Sequence, residues 1–343
     1  MGFFGKLFGG QASSSTSKQQ PQPAPVRNNT SSDSAPDNSE VPPRSAFVGE
    51  HFEGLGDVWG AFLPGGVQEF VDKVQEMFPT LKPMGPVMQR KDGMGVVLCT
   101  SDSVGGLAIH CNVLIKPGSG EAEFVSGYPS LAGLLSPFTI EQAHIWSNSI
   151  SGSVAARSKV NGALLNFFLS GFFQHVPQMQ FGTDVEFALS ALALGLQKQD
   201  QTEFSPEEGT PAYDAARKAF LTANPDKSVA DFVPPVVSSR GHGVLLPTKV
   251  VGVWIYQVPV LNITKVEFMG HSYRRIETRL AGVGDNAVFG SLYVAEHVLK
   301  GYEPQVGDDI TGTLWLQGEM ALDEALLEQY SRQAEQAASG PAQ

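Results

Sequence analysis

The spacing of apolar residues and the residues that cap helices predict three helices in the chain. An apolar stripe over 67–78 predicts one amphipathic helix, which the proline at position 79 ends. Thr210 and Pro211 predict the start of a second helix, which runs to about position 223, because Thr suits an N-cap and Pro suits the first helical position. A third stripe, over 322–330, predicts a C-terminal helix.

Alternating or continuous apolar runs predict that most of the remaining folded chain is β-sheet. Asn161-Gly162 predicts a tight hairpin turn, because both residues accept positive φ. The apolar run over 185–196 fits either element: its Ala and Leu content favours a helix, and its place after a Gly-x-Asp turn favours a strand. The predicted strands are 96–100, 107–115, 121–127, 145–160, 163–169, 249–258, 263–270, 273–281, 287–294 and 310–316.

Two segments of the sequence share the same order of predicted strands and turns. Phe167 precedes His175 by eight residues, and Phe289 precedes His297 by the same interval. In both segments two strands come first, and a Gly-Asp turn and an apolar run follow. This order resembles small five-stranded barrels of the OB kind, although chance similarity is an equal alternative. The predicted fold class is therefore α+β and rich in antiparallel sheet, with two divergent OB-like or small-barrel units after a disordered tether.

The N-terminal part of the chain has a different composition. Residues 11–46 are dominated by Ser, Pro, Gln and Asn, and such a segment buries too little apolar area to fold. We therefore expect a disordered linker. Ahead of it, residues 1–10 carry an apolar stripe that would form if the peptide were helical; its members are Phe3, Phe4, Leu7 and Phe8. One interpretation is a peptide that docks on a membrane surface or a partner, and the other is a peptide that packs on its own chain.

These patterns divide the chain into seven segments. They are a docking peptide (1–10), a linker (11–46), a small α+β unit (47–140), a β-rich unit (141–200), a helix and loop connection (201–247), a β-rich unit with the C-terminal helix (248–336) and a tail (337–343). The two β-rich units are the two copies of the repeat.

The net charge of the chain limits the kinds of molecule that it is expected to bind. The 343 residues carry a formal net charge of −12, and the charges of the linker cancel, so the folded part holds the excess acid. This charge argues against nucleic acid as a partner, because a phosphate backbone repels an acidic surface. The chain has no apolar run long enough to cross a bilayer and no secretory signal, which predicts a cytoplasmic protein, peripheral at a membrane if residues 1–10 bind one. In that compartment Cys99 and Cys111 are expected to be free thiols.

Motifs for catalysis, cofactors and metals are missing from the sequence. It contains no phosphate-binding loop, dinucleotide fingerprint, nucleophile elbow or zinc-ligand spacing, so we expect no cofactor and no metal. Arg240 and His242, in the loop 238–243, are weak catalytic candidates, and a polar surface loop is the favoured alternative. Trp315 is either a contact residue on the outside of a barrel or a packing residue under the C-terminal helix.

The leading functional hypothesis is a non-enzymatic binding or adaptor protein with a protein partner, whose N-terminal peptide docks to that partner or to a membrane. One alternative is an enzyme whose site is assembled from scattered residues near 238–243. Another is a barrel protein that binds oligosaccharide or nucleic acid.

Overall fold

The computed structural model describes residues 55–90, 93–116, 118–119, 121–176 and 179–320. Their helices are α1 (Gly56–Phe62), α2 (Gly66–Met77), α3 (Phe172–His175), α4 (Pro211–Ala223) and α5 (Glu296–Leu299). Their strands are β1 (Lys82–Gln89), β2 (Gly95–Thr100), β3 (Leu107–Ile115), β4 (Ala122–Leu131), β5 (Leu134–Ile145), β6 (Gly152–Ser158), β7 (Leu164–Leu169), β8 (Asp184–Lys198), β9 (Glu203–Phe204), β10 (Val237–Ser238), β11 (Val244–Pro247), β12 (Val253–Pro259), β13 (Asn262–Phe268), β14 (His271–Val283), β15 (Asn286–Ala295) and β16 (Asp309–Met320).

Strands β1 to β4 form an antiparallel meander. Helix α1 lies between β4 and β8, and α2 packs on β4 through Phe70 and Phe124, whose ring centroids are 6.2 Å apart. The predicted helix over 67–78 is α2, and its Phe70 stacks on Trp59 of α1 with ring centroids 3.7 Å apart. β1 is an edge strand that the apolar pattern does not predict. It contains Pro83 and Pro86, and proline within a sheet is confined to edge positions, where its missing N–H costs no ladder bond.

A closed five-stranded barrel follows the meander. Its strands follow the order β5, β6, β7, β16 and β8. Each strand pairs with the next, and β8 pairs with β5 to close the barrel. Three phenylalanines, Phe138, Phe167 and Phe187, pack against one another in the core with ring centroids 4.9–6.3 Å apart. The predicted fold class, an α+β protein with antiparallel sheet and a small barrel, is confirmed.

The remaining strands extend the same ten-stranded sheet. β11 and β12 continue from β16 on one side, and β15, β14 and β13 continue from β8 on the other. A bridge joins β14 to the residue ahead of β11, because Gly243 and Gly282 exchange two backbone hydrogen bonds of 2.8 Å. An added Cβ on Gly243 would lie 2.2 Å from the carbonyl oxygen of Arg279, so this approach requires glycine.

The two predicted repeat units have the same order of connections and exchange strands. In each, a third strand leads through a short helix into a long last strand. β7 pairs in parallel with β16, β15 pairs in parallel with β8, and β8 and β16 pair antiparallel with each other. Neither unit therefore closes its sheet without the last strand of the other.

The hydrogen-bond ladders relate the strands of the two units. Phe168 pairs with Gln317, and Tyr293 pairs with Leu192. With one offset for β7 to β15 and for β8 to β16, these pairs correspond at an offset of 125 residues. The spacing matches Phe167 with Phe289 and His175 with His297 at an offset of 122. The two histidines lie in α3 and α5, outside these ladders, so their match stays a prediction. Sheet register is set by which faces are buried, and a few identical residues do not determine it.

The structure contradicts one strand prediction and decides another that the sequence left open. The single strand over 145–160 is wrong: β5 ends at Ile145, a turn follows, and β6 begins at Gly152. In that turn Asn148 Oδ1 accepts hydrogen bonds from the backbone of Ile150 and Ser151, which is the local chemistry that ends the strand. The ambiguous run over 185–196 is strand β8, because pairing with three other strands outweighs its Ala and Leu content.

Candidate functional site

A segment of the chain leaves the sheet between β8 and β11. We call residues 199–242 the arm. It contains β9, α4, a 3-10 turn (Val229–Asp231) and β10. β9 pairs with β10, so the arm closes on itself at its base before the chain returns to the sheet.

The base of the arm is fixed to the sheet by hydrogen bonds at both ends. The backbone N–H of Gln199 donates to the carbonyl oxygen of Asp309 over 2.8 Å, and that of Gly241 donates to the Asp309 carboxylate over 3.0 Å. Gln257 of β12 donates to the carbonyl and the hydroxyl of Ser239 over 3.0 and 2.8 Å. Asp309 is buried, so these bonds form where water competes little.

The catalytic candidates of the sequence lie at this base. Arg240 is exposed and His242 is half-buried. The backbone N–H of His242 donates to Ser239 over 3.1 Å, which makes the loop part of the turn that returns the chain to β11. The structure thus shows an anchoring role for the loop backbone, and a catalytic role for the two side chains stays a prediction.

Helix α4 is stabilised within the arm. Its predicted start is confirmed, because the Thr210 hydroxyl accepts the backbone N–H of Tyr213 over 3.2 Å. The rings of Tyr213 and Phe220 both contact Phe232, at centroid distances of 5.3 and 5.5 Å. No residue of α4 is buried, so a single aromatic side chain covers the apolar stripe of this helix only in part.

The chain that follows α4 exposes a group of valines. Val233 is 80 % exposed and Val236 is 66 % exposed, and Val229 and Val237 beside them are also exposed. They flank Pro234-Pro235, whose fixed φ values hold the segment extended. We call these four residues the valine cluster. Exposed apolar groups rimmed by polar residues mark interaction sites on soluble proteins.

Acidic residues outnumber basic residues along the arm that carries the valine cluster. The arm has seven acidic and four basic residues. Arg217 is engaged within α4, where it contacts Asp214 over 2.9 Å and lies over the ring of Tyr213. Hydrogen bonds from the backbone and the hydroxyl of Ser228 lower the pKa of Asp231, which keeps that carboxylate ionised beside Val229. The arm therefore exposes apolar valine side chains and carries a net negative charge.

A second group of functional side chains is buried between the meander and the barrel. The Ser170 hydroxyl lies 3.2 Å from His110 Nδ1, and the Tyr128 hydroxyl accepts the N–H of Gly171 over 2.8 Å. Desolvation lowers the pKa of His110 to about 4 and raises that of Cys111 to about 12. Ser170, His110 and Tyr128 are each at least 96 % buried, so substrate does not reach this Ser–His pair, and the network holds the two layers together.

Trp315 is fully buried, with its ring 5.2 Å from that of Phe168, so it offers no surface to a partner. This burial does not fit the contact predicted on the outside of a barrel, because the meander lies against the same face of β16, where Gln317 accepts the N–H of Leu131 and donates to the carbonyl of Pro129. The peptide with Phe3, Phe4, Leu7 and Phe8 and the C-terminal helix over 322–330 lie outside the described residues.

No family model matches the chain, and no curated protein or solved structure matches it either. In the described ranges between 55 and 320, no helix has the length and apolar character needed to cross a bilayer. The arm therefore has to be interpreted from its own geometry.

Sequence reasoning missed the valine cluster. The sequence shows a loop with prolines at 234 and 235, and valines on both sides look like ordinary packing residues. One signal was available: four valines and a single phenylalanine follow a short helix, with too few apolar partners nearby to bury them.

Proposed function

We propose that the protein is a non-enzymatic binding protein that uses the arm to bind another protein. The observation that carries the proposal is the valine cluster, with Val233 80 % exposed on a segment fixed at its base. Burying a valine side chain contributes about 1.5 kcal/mol or more, so even two or three of the four exposed valines between 229 and 237 would supply a substantial part of a protein–protein affinity.

The charge of the arm selects the class of partner. Seven acidic residues against four basic ones favour a protein surface whose apolar stripe is bordered by Lys or Arg. A second copy of this chain has the same acidic arm and a net charge of −12, so two copies repel each other. The proposed partner is therefore a different protein with a basic rim.

A synthetic amphipathic helix with a leucine stripe bordered by lysines is a defined probe for this surface. We expect it to bind the wild-type protein, and we expect V233D to weaken binding by about tenfold or more, measured by titration calorimetry. The added aspartate strengthens the long-range attraction to lysines, so a loss of affinity reports the lost apolar contact. Raised salt should weaken the wild-type complex.

Leu135 provides the matched control. It is 63 % exposed on β5 and lies opposite Ala188, ten residues of β8 away from the start of the arm. L135D carries the same change of charge and polarity and should leave the affinity unchanged. Equal losses in V233D and L135D would refute the arm as the site. A wild-type dimer in sedimentation that V233D dissociates would refute the choice of a different protein as partner.

Docking of residues 1–10 to a membrane or to the same partner remains a separate proposal. Its support is the apolar stripe of the peptide beside Lys6, ahead of a segment without a predicted core. We expect deletion of residues 1–10 to abolish binding to vesicles of mixed neutral and anionic lipid while the arm still binds the leucine–lysine peptide. Unchanged sedimentation of the truncated chain with vesicles would exclude the membrane role.

A further inference from the structure

A cavity of about 360 Å³ lies between the start of α1 and strands β8, β12 and β16. Five of its lining residues are apolar, and the two polar ones are Asp57 of α1 and Thr313 of β16. Small-molecule sites are typically concave and largely apolar, with a few polar groups that orient the ligand. The lining of this cavity has that composition.

Helix α1, which supplies Leu55, Asp57 and Val58 to the lining, is fixed at both ends. At its C-terminal end, the carbonyl of Phe62 accepts the buried Tyr273 hydroxyl over 2.7 Å. At its start, Leu55 has a φ of 46°, a left-handed conformation that is strained for leucine. Such strain persists only where the surrounding structure imposes it, and it is frequent at ligand sites.

The opposite wall of the cavity is held by local features of the sheet. Leu194 lies in a β-bulge, where the ladder between β8 and β16 skips one residue of β8. Bulges redirect side chains and are common beside functional sites. Val250 lies in the turn ahead of β12, and its N–H donates to the Thr248 hydroxyl over 3.1 Å. The cavity is therefore formed before any ligand arrives, which lowers the entropic cost of binding.

Asp57 is the charged residue of the lining. It lies in the first turn of α1 and is exposed, and it makes no ion pair or side-chain hydrogen bond with the residues that the structure describes. An acidic residue in this position stabilises its own helix, but that leaves its carboxylate oxygens available to a ligand. The described lining includes no Lys, Arg or His. A carboxylate only accepts hydrogen bonds, so it favours a ligand with a cationic donor.

We propose that this cavity binds a small molecule with an apolar body and a primary ammonium group. The body lies against Leu194, Val250 and Val253, and the ammonium group donates to the Asp57 carboxylate. The net charge of −12 also attracts a cation at long range. Because Asp57 is exposed, water screens the pair, and the ammonium group should raise the affinity about fivefold. This site does not depend on the proposed function.

Phenethylamine and phenethyl alcohol form a matched pair of probes, with and without the positive charge at neutral pH. We expect both to shift the methyl signals of Val58, Leu194 and Val253 in a saturable way. The amine should bind about fivefold more tightly than the alcohol, and added salt should reduce this difference.

Two variants of equal charge change test the role of Asp57. D57N should lower the affinity for the amine to that for the alcohol, and it should leave the affinity for the alcohol unchanged, which reports an intact cavity. Asp72 is exposed on α2 and does not line the cavity, so D72N should change neither affinity. Equal affinities of the two probes for the wild-type protein, or equal losses in D57N and D72N, would overturn the choice of an ammonium ligand.

Two variants that fill the cavity test the location. V250F and T313F each place an aromatic ring in the space from a different element, so a folding defect in one leaves the other informative. We expect the saturable shifts of both probes to disappear in the folded variants. Shifts that persist in both variants, or no saturable shift in the wild-type protein, would overturn the site.

Discussion

Replacing Gly312 by alanine should destabilise the protein by about 3 kcal/mol or more, near the upper end of the cost of overpacking. A Cβ on Gly312 would lie 2.0 Å from the carbonyl oxygen of Gly195, on the neighbouring strand β8. That carbonyl also accepts the Tyr256 hydroxyl over 3.1 Å, so it cannot move away without breaking a bond in the core. β8 and β16 are the two strands that both repeat units share, and the strain would spread to both.

Gly195 is the control, because it lies beside Gly312 across the same ladder. A Cβ on Gly195 would meet no atom within 4 Å. G195A should therefore change the free energy of unfolding by less than about 1 kcal/mol, the intrinsic difference between Gly and Ala. Denaturant unfolding of both variants, followed by circular dichroism, provides the comparison. Similar stabilities for G312A and G195A would contradict the close contact between β8 and β16.

Acidification from pH 7 to pH 5 should lower the free energy of unfolding by about 2 kcal/mol for each of two buried histidines. Desolvation lowers the pKa of both His110 and His175 to about 4 from an ordinary value of 6.5. Between pH 6.5 and pH 4 the two histidines bind protons in the unfolded chain but stay neutral in the folded protein, so the free energy of unfolding falls as the pH falls. Burial raises the pKa of the Glu319 carboxyl above its ordinary value of 4.5. The folded protein therefore binds a proton there at a higher pH than the unfolded chain does, and at pH values just above 4.5 this offsets part of the loss of stability.

Neutral replacements measure the two histidine contributions. H110N keeps a polar atom near the position of Nδ1, which is hydrogen-bonded to Ser170, and H175Q removes the second titrating group. Each should remove about half of the loss between pH 7 and pH 5. H144Q, at a half-buried position, serves as the control and should leave most of the loss in place. A double variant that destabilises as steeply as the wild-type protein would show that other groups cause the pH dependence.

Local signals in the sequence predicted the elements that depend on local chemistry. Helix α4 has its cap at Thr210, and the Asn161-Gly162 turn joins β6 to β7, because each needs only neighbouring residues. The exchange of β8 and β16 between the units depends on contacts far apart in sequence, and the spacing of residues did not predict it. The single strand predicted over 145–160 was wrong because the side chain of Asn148 holds a turn within a run that looks extended, and β5, which precedes this turn, was not predicted.

The candidate sites were harder to predict for a different reason. Arg240 and His242 carry reactive groups, but in the structure the backbone around them fixes the arm. Val233 and Val236 carry no reactive group, and what distinguishes them is that little covers them. Exposure is a property of the whole fold, because it depends on which other elements reach a residue, and a single sequence gives little information about it.

Methyl NMR on the valine cluster tests the central proposal most directly. The leucine–lysine peptide would be titrated into protein with labelled valine, leucine and isoleucine methyl groups. We predict that the shifts concentrate on Val229, Val233, Val236 and Val237. Leu246 and Ile255, an exposed apolar pair on β11 and β12, provide an internal comparison and should not change. Shifts centred on that pair, or spread evenly over the exposed methyl groups, would contradict the arm as the binding surface.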